Sequence, residues 1–99
     1  MIRITFTAED REALGVPEVI EYDNANPRLR DLKRLKAEVG LSWAELGKQL
    51  EDSDLLAMAA LVWLAANTAD GVSVTWESFD LDLINTSIEL VDSPKASKK

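Results

Sequence analysis

The chain has no cysteine and no histidine. That removes disulfides, cysteine nucleophiles, histidine general bases and the usual zinc ligand sets. Glycines number four and stand apart, so no glycine-rich loop exists to cradle a phosphate. Base is scarce over most of the length: between residues 37 and 94 the only lysine or arginine is Lys48. The net charge of -7 gives a surface that repels phosphate backbones and favours basic partners. The N-terminal Met1–Phe6 does not read as a signal peptide, because Glu9, Asp10 and Glu12 intervene before any long apolar stretch.

What is present is one uninterrupted apolar run, residues 55–66, reading Leu-Leu-Ala-Met-Ala-Ala-Leu-Val-Trp-Leu-Ala-Ala. At twelve residues it falls short of the roughly 20 needed to span a bilayer. Its alanines suit close packing against protein. A helix apolar all round has no water face, so it must be wrapped by its own neighbours, by other copies or by a client. Each option points to binding rather than catalysis.

Local patterns place this run in a sequence of elements. Ile2, Ile4 and Phe6 alternate with Arg3 and Thr5, the period of a half-buried strand. Residues 16–22 read as a second strand, with Pro17 at its start or on an edge. Asn26 as a cap and Pro27 at the first position predict a helix over 27–39, stopped by Gly40. Ser42-Trp43-Ala44-Glu45 is a capping box, and Leu41 with Leu46 forms a hydrophobic staple around it. Asp52-Ser53-Asp54 ends that helix and caps the next, which runs to about Thr68. Thr75 caps a segment of one or two turns at Trp76–Phe79. Phe79, Leu81 and Leu83 fit a helix or a strand, and residues 80–91 stay open between the two. Ile88-Glu89-Leu90 reads as a further strand able to pair with the first. The expected fold is α+β and predominantly α, with three to four short helices and a small N-terminal β-hairpin or strand pair. One domain covers 1–92 (β-rich over 1–22, helical over 27–79), and 93–99 forms a disordered basic tail.

Residues 40–66 have the order of a helix-turn-helix, but residues 54–66 offer only Asp54 and twelve apolar side chains, with no arginine, lysine, asparagine or glutamine to reach bases or phosphates. Asp52-Ser53-Asp54 and Asp80-Leu81-Asp82 lack the glycine and distal glutamate of a calcium loop. They read as caps and solvated carboxylates. The expectation is a protein without cofactor, metal, nucleic acid or membrane.

The basic helix Arg28–Lys36, then Gly40-Leu41-Ser42 with Ala44-Glu45-Leu46, then Asp52 to Ala65, and finally Val74-Thr75-Trp76-Glu77-Ser78-Phe79-Asp80-Leu81-Asp82 resemble, in order and residue type, the small tail assembly chaperones of long-tailed bacteriophages. The resemblance covers about residues 28–83. It implies a non-enzymatic protein of the host cytoplasm, absent from the mature virion. Such a protein coats the tape measure protein and keeps it soluble until tail tube subunits polymerise around it. It also implies a short form and a longer frameshifted form, for which consecutive lysine codons at Lys98-Lys99 would suit ribosomal slippage. On this reading the apolar helix supplies a groove for client helices, with Leu55, Met58, Ala59, Val62 and Trp63 as the partner-binding residues. Copies of the chain would self-associate, and the tail tube protein is a further contact. Two alternatives remain: a structural virion component of the head–tail or tail-terminator type, and a small regulator with a degenerate helix-turn-helix.

Overall fold

In a computed structural model, residues 1–69 and 71–91 are described. The expected disordered tail, the Lys98-Lys99 pair and Asp70 lie outside them.

Three strands form one antiparallel sheet in the order β2-β1-β3. They are β1 (Ile2–Thr5), β2 (Val19–Tyr22) and β3 (Ser87–Leu90). The register sets Ile4 opposite both Ile20 and Ile88, and Arg3 opposite both Glu21 and Glu89. One face of the sheet is therefore apolar. On the other, Arg3 meets Glu21 at 2.9 Å and Glu89 at 3.5 Å. The guanidinium holds its proton more tightly than usual, mainly through the bond to Glu21. The expected N-terminal pair is thus widened by a third strand that returns from residues 87–90.

Between β1 and β2 the chain makes a helix, α1 (Ala8–Leu14), in a stretch to which the sequence reading assigned no element. Its residues are too polar to show an apolar period. The signal was in the ends. Thr7 Oγ1 accepts the Asp10 N–H at 3.2 Å, acids fill the first turn, and Gly15 at φ 72° supplies the left-handed stop.

The basic helix starts later than expected. α2 spans Leu29–Arg34, with Arg28 at the cap and the Asp31 carboxylate accepting the Arg28 N–H at 3.4 Å. Asn26 instead donates its side-chain N–H to Asp23 at 3.2 Å, so Asn26 is spent on the preceding turn and does not cap. That bond, ahead of the backbone donors at Ala25 and Asn26, holds the Asp23 carboxyl below its usual range. The helix continues as a π-helical turn, Leu35–Val39, closed by the Gly40 N–H bonding Leu35 O at 3.0 Å with Gly40 at φ 85°.

α3 (Trp43–Glu51) has the capping box as read: Ser42 Oγ accepts from Glu45 N–H at 3.1 Å and Glu45 accepts from Ser42 N–H at 2.8 Å. α4 (Leu55–Ala66) begins at Asp54, whose Oδ1 accepts from the Leu56 and Ala57 N–H groups at 2.8 and 3.2 Å. The segment at Thr75 is a single turn, in which Thr75 Oγ1 accepts from Ser78 N–H at 3.3 Å. Residues 80–91 resolve into a 3₁₀ turn (Leu83–Asn85) and β3.

α4 is the shared wall of two cores. Leu61, Val62, Ala65 and Ala66 pack with Ile2, Ile4, Phe6, Val16, Ile20 and Tyr22 on the sheet side. Ala57, Ala60, Trp63 and Leu64 pack with Leu35 and Leu46 on the helical side. A helix held between a sheet and a helical layer needs no polar face, and that accounts for its composition. Tyr22 closes the joint between layers, its hydroxyl donating to the buried Asp31 carboxylate at 3.2 Å. Burial, with the Asp31 charge and hydrogen bond behind it, pushes the Tyr22 pKa far up.

Candidate binding groove

Eight of the twelve residues of α4 are buried, and all but Ala57 lie at or beyond Ala60. The first turn is different. Leu55 is 57% exposed and Leu56 71%. They open onto a groove of about 280 Å³ whose other walls are Ala59, Trp76, Phe79, Asp80, Leu81 and Leu83. Ile84, in the 3₁₀ turn that follows, is 83% exposed.

The far wall is the irregular stretch after α4, and three sets of contacts fix it. Asn67 bonds across the loop: its Oδ1 accepts from Val74 N–H at 2.8 Å, and its Nδ2 donates to Trp63 O at 2.8 Å. Val74 O accepts both the Trp63 indole N–H at 2.8 Å and the Arg34 guanidinium at 2.9 Å. Arg34 also lies over the Trp63 ring at 5.0 Å. Glu38 accepts the Trp76 N–H at 3.0 Å and pairs with Arg34 at 2.8 Å. The Trp76 bond, then Arg34, keep the Glu38 carboxyl below its usual range. Trp76 stands edge-on to Trp63 at 5.7 Å and stacks with Phe79 at 6.2 Å. The groove therefore has a braced aromatic wall facing a leucine-lined helix start.

The structure divides the five residues read as partner-binding. Leu55 and Ala59 line the groove. Met58 is half-buried and outside the lining. Val62 and Trp63 are fully buried in the two cores, so their side chains are internal structure and not surface for a partner. Sequence reasoning missed Leu56, Leu81 and Leu83 as groove residues. Leu56 belongs to the same apolar run, and only the placement of neighbours separates it from Trp63.

Chemically the groove can hold apolar side chains. The segments that line it, residues 54–59 and 76–83, carry Asp54, Glu77, Asp80 and Asp82 and no lysine or arginine. Among the described residues no group of three or more acidic side chains is placed to hold a metal ion, and no helix is long and apolar enough to cross a membrane. No family model, curated protein or solved structure matches this chain.

Proposed function

We propose that this protein is a non-enzymatic tail assembly chaperone that binds apolar stripes on the tape measure protein and keeps it soluble during assembly. The observation that carries the reading is the exposed leucine pair at the head of α4, set in a groove against a braced aromatic wall. Leu55 and Ala59, one turn apart on α4, line one side of the groove and offer a surface to an amphipathic helix laid in it, with Leu56 exposed beside them. Covering one such leucine contributes about 1.5–3 kcal/mol before binding costs are subtracted. Contacts of that size are displaceable singly and cumulative along a client with repeated stripes, which suits a coat that tube subunits must replace. The acidic rim favours clients whose stripes are flanked by lysine or arginine.

The test is co-expression with the tape measure protein in the host cytoplasm. The client should be soluble with the native chain and insoluble with Leu56→Asp, while circular dichroism of the variant stays native. Equal client solubility with both chains refutes the reading. Presence of the protein in purified virions would favour a structural virion component instead.

A further inference from the structure

We infer that, when no client is bound, the groove at the head of α4 is occupied by the basic face of α2 from a second copy of this chain. The inference takes the groove as a binding surface from the proposal above and adds what covers it.

Two surface patches are complementary in both charge and apolarity. The first is the groove, with exposed Leu55 and Leu56 at its mouth and an acidic surround that includes Asp80 in its wall. The second is a shallow hollow of about 570 Å³ lined by Leu29, Arg30, Lys33, Arg34 and Ala37. Leu29 is 65% exposed at the start of α2. Arg28, Arg30, Lys33 and Lys36 are exposed around it. Of these four, the only ion pair among the described residues is Arg30 with Asp31, at a long 4.0 Å.

The argument for a second copy is how the charge is divided. Residues 28–36 hold Arg28, Arg30, Lys33, Arg34 and Lys36 against Asp31 alone, while residues 49–91 hold acids and no base. A chain with separated basic and acidic patches meets its complement in every other copy, at equal concentration. Rim charges by themselves would supply little affinity and mostly steer the encounter. Here each patch also has exposed leucine, which supplies the desolvated centre that a lasting contact needs. The contact joins two different surfaces, so it either closes as a ring or reciprocal pair or extends as a chain. Because the neighbour covers Leu55 and Leu56, self-association and client binding are mutually exclusive. The free protein is thereby stored with its apolar surface hidden, and the client must displace a neighbour.

The experiment is sedimentation velocity on the full chain and on two charge-reversed variants. One carries Arg30→Glu and Lys33→Glu on the basic patch, the other Glu77→Lys and Asp80→Lys on the segment that walls the groove. These side chains take no part in the cores. The native chain should associate at low salt and dissociate as salt is raised. Each variant alone should associate at least about tenfold more weakly, since like charges now face each other. Mixing the two should restore association, because the reversed patches are complementary to one another, and that rescue separates a broken contact from a misfolded variant. A native chain that stays monomeric at about 100 μM, where a micromolar contact would be saturated, overturns the inference. So does association that neither reversal weakens, or a mixture that fails to recover. None of these results bears on client solubility in co-expression, so the two proposals fail separately.

Discussion

The two ends of α4 share a composition and differ in fate. Leu61, Val62, Trp63 and Leu64 are enclosed between the sheet and the helical layer, while Leu55 and Leu56, in the same apolar run, face outward. Hydropathy cannot tell these ends apart, because it records what a residue avoids and not which neighbour covers it. Cover is decided by distant chain: β1, β2 and Val72 over the far end, Leu35 and Leu46 over the middle. At the near end the opposite wall, Phe79 to Leu83, stands off and leaves a groove. An all-apolar helix in a small protein is thus evidence of a structural wall first, and of a binding surface only where the wall is left uncovered.

Substitutions along the helix should reproduce this gradient. The largest effect is expected at Trp63. Trp63→Ala removes the ring between Arg34 and Trp76 and the indole bond to Val74 O, and should cost about 3–5 kcal/mol in urea unfolding. Leu35→Ala, which opens the helical core opposite α4, should cost about 2–5 kcal/mol by the same assay. A smaller loss, about 1 kcal/mol, is expected for Asp54→Ala, which leaves the Leu56 and Ala57 N–H groups without their cap. At the exposed end Leu56→Asp should change stability by no more than about 0.5 kcal/mol. A Leu56 variant as destabilised as Trp63→Ala would erase the distinction between the two ends.

Mild acid offers a finer probe of the aromatic wall. The Glu38 carboxyl is lowered in the folded protein, first by the Trp76 N–H and then by Arg34. A lowered folded value stabilises the protein above the unfolded carboxylate pKa of about 4.3. That contribution is lost as pH falls through the lower folded value. Glu45, lowered by the Ser42 N–H and hydroxyl, acts in the same direction. Glu38→Gln should therefore flatten the acid limb of an unfolding-midpoint profile and leave its neutral-pH shape unchanged. An unaltered acid limb would show that Glu38 does not brace the wall.

Much of the helical half was legible because its signals are local. The Ser42–Glu45 box, the Asp54 cap and the Gly40 stop each act within a few residues, and all three stand in the structure. The third strand was legible as an alternation at Ile88-Glu89-Leu90, and its partner was named as the first strand. α1 was hidden because it has no buried residue and so leaves no apolar period. The start of α2 was misplaced because Asn26 had two uses, and the turn bond to Asp23 took precedence over the cap. The groove itself was only half legible. Leu55 and Ala59 follow from the apolar run, but Leu81 and Leu83 join them only through a fold whose long loop is pinned by Asn67 and Val74. Val62 and Trp63 were assigned to the partner surface because a sequence shows that a residue is apolar and not which side of a wall it occupies.

The measurement that bears most directly on the account is the solubility of the tape measure protein co-expressed with the Leu55→Asp, Leu56→Asp double variant, read beside the variant's own unfolding midpoint. A folded variant of near-native midpoint that leaves the client in the insoluble fraction is the expected result. A folded variant that solubilises the client as well as the native chain does would contradict the claim that the open end of α4 is the gripping surface.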